Sequence, residues 1–199
     1  MSIRIALARQ GWGKTWYLGH MVRQRVAELG AKCPPVLIHD IRCKDPKGWR
    51  KGTIGCLAPP KHRYPRYQGK LTAPVTTFFE CPAEHLFQLA WYRRLKLGKG
   101  TILVIDELDK LPPVIHPQRH PQVYACIHYG RVYPIDILGT ARRPQNIDKA
   151  LLSEAELLAI GRIQESRALE ALRRGGWLDS QTIDRIPKLN SREFITVRQ

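Results

Sequence analysis

Near the start of the chain, a short apolar run leads directly into a glycine-containing turn and then into a helical pattern. The run IRIAL (Ile3–Leu7) has the character of a buried β-strand, and ARQGWGKT (Ala8–Thr15) follows it. Apolar residues then recur at helical spacing until Gly30 stops the pattern: Leu18, Met21, Val22, Val26 and Leu29. A buried strand that turns at once into a helix is the opening half of a β-α unit, so this junction predicts an α/β fold.

The rest of the chain repeats the alternation of strand and helix. Apolar runs predict six further strands: VLIHDI (36–41), VTTFF (75–79), TILVID (101–106), IDILG (135–139), ELLAIGRI (156–163) and REFITVR (192–198). Helical patterns lie between several of them, at 81–100, 122–131, 146–153 and 165–174. This alternation predicts a mostly parallel central sheet, and the length of 199 residues suits a single domain over residues 1–199.

The turn between the first strand and its helix predicts an anion site. Backbone N–H groups of such a turn point at one place together with the helix N-terminus, and Gly11 and Gly13 permit the unusual backbone angles. Lys14 would reach the β- and γ-phosphates of a nucleotide, and the Thr15 hydroxyl would ligate Mg²⁺. The pattern GxxxxGK[ST] has glycine where Ala8 stands, and a chance GKT at a helix start is the alternative. The predicted nucleotide-binding residues are Ala8, Arg9, Gln10, Gly11, Trp12, Gly13, Lys14, Thr15 and Trp16.

Two acids at the end of a later strand support the interpretation of ARQGWGKT as a phosphate-binding loop. ILVIDE (Ile102–Glu107) places Asp106 where a Walker B aspartate holds Mg²⁺, and Glu107 where a carboxylate activates the attacking water. Acids at this position also cap helices, which is the structural alternative. The two motifs together predict a P-loop NTPase (RecA/ASCE-like) fold, a three-layer α/β sandwich that binds ATP and Mg²⁺. The water-activating Glu107 favours hydrolysis over transfer of the phosphoryl group to another substrate.

The charge of the chain indicates a polyanionic partner. It carries 33 Lys and Arg against 17 Asp and Glu, a net charge of +16. Nine of the basic residues and a single acid fall in a segment at about 42–74, which interrupts the strand–helix alternation and also contains aromatic residues. Such a mixture suits contact with nucleic-acid phosphates and bases; a solvated surface insertion is the alternative. The candidate DNA-binding residues are Lys47, Arg50, Lys51, Lys61, Arg63 and Arg66.

No apolar run approaches the ~20 residues of a membrane span, and the first residues lack the anatomy of a signal peptide. The five cysteines are odd in number and form no CxxC pair. These features predict a protein without a transmembrane segment that resides in the cytoplasm with reduced thiols.

A longer stretch carries a resemblance to a known family. HYGRVYPIDILGTARRPQNIDKALLSEAELLAIGRI (His128–Ile163), together with ARQGWGKT and LVIDE, resembles the FtsK/HerA superfamily of DNA-pumping ATPases. The small size most resembles the genome-packaging ATPases of tectivirus-like, membrane-containing icosahedral viruses. The resemblance assigns phosphate and Mg²⁺ roles to Lys14 and Thr15, the metal role to Asp106 and the base role to Glu107.

The resemblance also implies arginines that act on the γ-phosphate. Its sensor position is commonly glutamine before arginine-proline, but GTARRP has Arg142 there. Arg131, in a glycine-arginine pair, is the candidate for a finger that reaches a neighbouring subunit's nucleotide, and Arg142 and Arg143 are rivals for that role. An arginine in such a position offsets charge that develops on the transferred phosphoryl group.

The resemblance further implies the partners and the location. It predicts a homohexameric ring with double-stranded DNA in a central pore, in contact with viral capsid or portal-vertex proteins. The predicted location is the host cytoplasm or a packaging vertex of the virion. Three other functions stay open: a zonula-occludens-toxin-like ATPase for filamentous phage assembly or secretion, a nucleotide-gated DNA- or capsid-binding protein with little turnover, and a small-molecule kinase.

Overall fold

The computed structural model of the protein describes residues 1–40, 75–79, 82–130, 132 and 134–198. The predicted basic insertion at 42–74, with its six candidate DNA-binding residues, lies outside the described residues, and so does the finger candidate Arg131. The described strands nevertheless form one continuous sheet.

Seven strands form this sheet in the order β3-β2-β4-β5-β1-β6-β7. Every neighbouring pair is parallel except β6 and β7, which are antiparallel, so the predicted mostly parallel sheet is confirmed. The strand bounds are β1 Ile3–Leu7, β2 Val36–Asp40, β3 Val75–Phe79, β4 Thr101–Ile105, β5 Ile135–Ala141, β6 Leu157–Ile160 and β7 Ile195–Arg198.

Within the described ranges, six α-helices accompany the sheet: α1 Lys14–Leu29, α2 Glu84–Leu97, α3 Pro121–His128, α4 Lys149–Ser153, α5 Ser166–Arg174 and α6 Ser180–Arg185. The first five were predicted, and α6 was missed. The predicted helix at 146–153 begins later, because the Asp148 carboxylate accepts a hydrogen bond from the Ala150 N–H and thereby caps the helix at Lys149. A short 3₁₀ helix, Pro144–Asn146, precedes this cap.

The two faces of the sheet are covered by different helices. In β1, Ile3, Ile5 and Leu7 belong to a buried cluster with residues of α2 and α3, whereas Ala6 belongs to a second cluster with α1. This division follows from the alternation of side chains along a strand, because each β1 residue is buried on one face or the other. The result is the predicted three-layer arrangement, with the sheet between two helical layers.

The register of the central strands places three loops side by side. Leu7 of β1 is opposite Ala141 of β5, and Ile105 of β4 is opposite Gly139 of β5. Because the three strands are parallel, the segments that follow them emerge at the same edge of the sheet, which we call the carboxyl edge. Ligands of open α/β sheets bind at this edge.

Candidate nucleotide-binding site

The loop after β1 has the backbone that the glycines predicted. Gly11 and Gly13 have φ angles of 76° and 87°, in the left-handed region that favours glycine. Gly13 is the residue before α1, so the loop ends where the free N–H groups of the helix begin. Ala8 is fully buried, and its N–H donates to Ala141 O at 3.2 Å. The flexible position of this loop is therefore Gly11, and Ala8 continues the pairing of β1 with β5.

Lys14 is buried at the start of α1, with 8% of its surface exposed. Its Nζ donates a hydrogen bond to Arg9 O at 2.9 Å, so the side chain lies back over the loop. Burial lowers the pKa of Lys14 to about 8; the charge of Arg142 adds to this effect, and three nearby carboxylates oppose it. The cation therefore sits in a place where an anion would strongly stabilise it.

The predicted magnesium ligands are in contact. Thr15 Oγ1 donates to Asp106 Oδ2 at 3.2 Å, although the two residues lie far apart in the sequence. Asp106 Oδ1 accepts a shorter hydrogen bond, 2.6 Å, from Thr140 Oγ1 at the end of β5. The hydroxyl and carboxylate donors form a hard oxygen set of the kind that Mg²⁺ prefers, so the residues fit this ion.

Glu107 follows Asp106 and is held from two sides. Its backbone has a φ angle of 70°, which is unusual for a residue other than glycine, and its N–H donates to Thr140 Oγ1 at 3.1 Å. Its buried carboxylate forms an ion pair with Arg142. It makes no side-chain cap bond to the short 3₁₀ helix Leu108–Lys110 that follows, so the helix-cap alternative does not describe this acid.

Arg142 links the acid to the loop after β1. One amino group pairs with Glu107, and Nη1 donates to Gln10 Oε1 at 3.3 Å. The predicted sensor arginine thus lies between the base candidate and the phosphate-loop candidate. Arg143 points elsewhere: its exposed side chain forms an ion pair with Glu165 at 3.4 Å.

The other loop side chains have different surroundings. Trp12 is buried against Ala8 and Leu189, and its Nε1 donates to Glu193 O at 3.3 Å. The Arg9 guanidinium lies 5.0 Å from the centre of the Trp12 ring. Trp16 is 57% exposed and stacks on His20 one turn further along α1. The indole of Trp12 therefore stabilises the loop from inside.

Sequence reasoning missed two polar residues of the site. Thr140 bridges Asp106 and Glu107, and its signal was a polar residue at the carboxyl end of a strand next to β4. Asp109 is half-buried, and burial, with a smaller contribution from the charge of Glu107, raises its pKa. Its position inside a short 3₁₀ helix gave no sequence signal.

Described residues line a smaller and a larger cleft near the carboxyl edge. The cleft of about 410 Å³ is lined by Arg9, Gln10, Glu107, Asp109 and Arg142, among others, so the base candidate and the sensor arginine face it, whereas Lys14 and Asp106 are not among its lining residues. A larger cleft of about 870 Å³ lies between α4 and α5 and is mainly apolar. The smaller cleft is lined mainly by charged and polar groups and the larger one mainly by apolar groups, so the smaller one suits a polar ligand better.

The fold and the geometry of the carboxyl edge define a class of protein: the chain has the three-layer fold of a P-loop NTPase. No family model and no curated protein sequence matches the chain. Solved structures do match over nearly the whole length.

The genome packaging NTPase B204 from Sulfolobus turreted icosahedral virus 2, in complex with sulfate, has a TM-score of 0.71 and 16% identity. The match covers 99% of this chain and 90% of that one. The same protein in complex with ATP-gammaS gives a TM-score of 0.70 at 16% identity, with 99% and 91% covered.

The N-terminal domain of zonular occludens toxin from Neisseria meningitidis is a more distant match, with a TM-score of 0.51 and 14% identity. It covers 100% of this chain and 96% of that one. At these identities the matches establish the fold. In the described part of the chain, no helix combines the length and apolar character needed to cross a membrane.

Proposed function

We propose that the protein is an ATP-driven double-stranded DNA translocase that packages a viral genome into a preformed capsid, and that all 199 residues form one ATPase domain. The contact of Thr15 with Asp106 beside the buried Lys14 carries the proposal of an ATPase. The packaging role is supported by the similarity to a solved genome packaging NTPase that was crystallised with ATP-gammaS.

In this proposal the residues of the carboxyl edge divide the chemistry of hydrolysis. Lys14 leaves its bond with Arg9 O and binds the β- and γ-phosphates, while the N–H groups of the loop and of α1 bind the same anion. Thr15 and Asp106 would hold Mg²⁺, which would supply positive charge beside the phosphate oxygens.

Glu107 is the proposed general base. It orients the attacking water and accepts its proton, and Thr140 keeps its backbone in place through the N–H bond. The γ-phosphate competes with Glu107 for the guanidinium of Arg142, so ATP itself frees the base. Arg142 then offsets the charge on the transferred phosphoryl group.

The partners in this proposal follow from charge and resemblance. The net charge of +16 suits a polyanion, and the six basic residues predicted in the 42–74 segment would contact DNA phosphates. A homohexameric ring would bring Arg131 or Arg143 to a neighbour's nucleotide. Capsid or portal-vertex proteins would hold the ring at the packaging vertex, in the host cytoplasm or on the virion.

The test compares wild-type protein with Glu107→Gln for ATP binding, for ATP turnover with and without double-stranded DNA, and for displacement of a third strand from a DNA triplex. We expect DNA to stimulate turnover, the stimulation to fall steeply with salt, and Glu107→Gln to bind ATP but lose turnover by about a hundredfold or more. The matched control is Glu170→Gln, a partly exposed acid of α5 that lies away from the site and pairs with Arg173 and Arg174.

Each outcome separates the proposal from an alternative. Normal turnover in Glu107→Gln would overturn the catalytic assignment. ATP binding with no turnover in the wild type would favour the nucleotide-gated binding protein, and transfer of phosphate to an added acceptor would favour a kinase.

A second candidate is a zonula-occludens-toxin-like secretion ATPase, favoured by the match to the toxin domain at a TM-score of 0.51. This second candidate predicts association of the protein with membranes rather than with double-stranded DNA. Flotation of the protein with lipid vesicles, beside a DNA-binding assay at the same salt concentration, distinguishes the two.

A further inference from the structure

The segment before β7 folds back over the candidate phosphate loop. Glu193 O accepts the hydrogen bond from Trp12 Nε1, and Leu189 packs against the same indole. The Phe194 ring lies 4.4 Å, centre to centre, from Tyr17 in the first turn of α1. A Cβ on Gly161 would lie 2.4 Å from Trp12 Cδ1, so glycine at that position leaves room for the indole. The turn Asn190–Glu193 is therefore packed firmly against the loop.

Arg192 is at the tip of this turn and approaches Gly13. Its Cγ is 3.6 Å from the point that a Cβ on Gly13 would occupy, so the aliphatic part of the side chain passes over the residue before Lys14. Its backbone has a φ angle of 63°, in the left-handed region that an arginine rarely adopts. Arg192, the residue of the turn that reaches the loop, therefore has an unfavourable backbone conformation. Backbone strain of this kind is often found at functional sites.

The charged end of Arg192 lacks an anionic partner within the described ranges. The side chain is exposed, and among those residues it forms neither a hydrogen bond nor an ion pair. The guanidinium of Arg192 lies beside an anion-binding loop and has no carboxylate partner among the described residues. It is therefore available to bind an anionic group of a ligand.

The order of the strands decides which end of the ligand Arg192 would meet. Glu107 and Arg142 follow β4 and β5, on one side of β1. Arg192 precedes β7, on the other side of β1. A triphosphate whose γ-phosphate faces Glu107 and Arg142 therefore has its α-phosphate towards β6 and β7.

We propose that Arg192 binds the α-phosphate of the nucleotide and so holds the nucleoside end of the ligand against the loop. This inference rests on the proposed function of the site as an ATP site. It assigns the two arginines to opposite ends of one ligand: Arg142 distinguishes ATP from AMP, and Arg192 binds ATP, ADP and AMP through the phosphate they share.

The test measures the affinity of purified full-length protein for AMP, ADP and ATP by titration calorimetry. Arg192→Gln should weaken the binding of all three by a similar factor of about ten, because one charge-assisted contact is lost. Arg142→Gln should weaken ATP more than AMP. Arg198→Gln is the matched control, because this exposed arginine of β7 lies opposite Leu157, at the other end of β6.

A second variant separates the side chain from the strained backbone. Arg192→Gly removes the guanidinium and suits the left-handed angle, so it should melt at the wild-type temperature or above and still bind all three nucleotides about tenfold more weakly. Arg192→Lys should recover part of the affinity.

Two results would overturn the inference: wild-type affinity in both Arg192→Gln and Arg192→Gly, or a loss of affinity confined to ATP. A wild-type protein that binds none of the three nucleotides would instead overturn the proposed function of the site.

Discussion

Both edges of the central sheet contain buried charged groups, but the hydrogen-bond partners of these groups differ between the edges. At the amino edge, where the strands begin, Arg4 donates to both oxygens of Glu28, at 3.1 and 2.6 Å, and Arg25 donates to Asp136 at 2.7 Å. At the carboxyl edge Glu107 pairs with Arg142, but Lys14 donates to a backbone carbonyl, and Asp109 Oδ1 is buried with no hydrogen-bond partner among the described residues.

The pKa directions follow the same division. The hydrogen bonds from Arg4 lower the pKa of Glu28, so its charged form is favoured. At the carboxyl edge burial acts against charge, because it lowers the pKa of Lys14 and raises that of Asp109. The paired charges of Arg4 and Glu28 stabilise the fold. The charges of Lys14 and Asp109, which burial disfavours, lie where a ligand could bind or a reaction could take place.

The largest expected effect comes from Lys14→Met. Loss of the cation should lower ATP turnover by about a hundredfold to a thousandfold, because the transition-state charge loses a buried donor. The melting temperature should not fall, because the substitution also removes a buried charge. Turnover assays and calorimetric melting check both statements, with Lys96→Met, an exposed lysine of α2, as the control. If Lys14→Met unfolded, the charged groups of the carboxyl edge would also be needed for stability, which would contradict the contrast between the two edges.

Arg4→Met should have the opposite effect: it should lower stability and leave ATP binding unchanged. Arg4 is 4% exposed and donates two hydrogen bonds to Glu28, which is exposed and keeps its pair with Arg25, so the free energy of unfolding should fall by about 1.5–3 kcal/mol. Denaturation by urea measures this loss, with the exposed Arg174→Met as the control. ATP affinity of the folded variant should stay near the wild-type value. An equally large loss of ATP affinity would mean that the two edges are not separate in function.

The smallest effect concerns pH. The pKa of Lys14 is lowered to about 8, so ATP binding should weaken about tenfold between pH 7 and pH 9 as the amine loses its proton. Above pH 8, binding should take up one proton, which calorimetry in buffers of different ionisation enthalpy measures. Arg142→Gln removes one cause of the lowering and should move the midpoint to higher pH.

The sign for stability is opposite to that for binding. An unfolded chain keeps the ordinary lysine pKa of 10.5, so between pH 8 and 10.5 it holds more protons at Lys14 than the folded protein does. The contribution of this residue therefore makes the fold more stable as pH rises through that window. Glu28 responds only in acid: its stabilising charge is lost as pH falls below its ordinary value of 4.5.

Much of the carboxyl edge could be predicted, because the motifs place each residue at the end of a strand. Thr15 and Asp106 were predicted as partners and are in contact. The direction of individual side chains could not be predicted. Trp12 stands in the middle of the loop but packs inward, and Arg143 turns towards Glu165, whereas its neighbour Arg142 reaches Glu107.

The amino acid sequence by itself determined the strands, most helices and the chemical types at the carboxyl edge. It could do so because hydrophobic periodicity and the glycine-lysine-threonine turn are local properties of neighbouring residues. Only the tertiary structure decided that Thr140 bridges the two acids, that Arg142 pairs with Glu107, and that Arg192 lies over Gly13. Contacts between residues so far apart in the chain depend on strand order and register, which no short segment encodes.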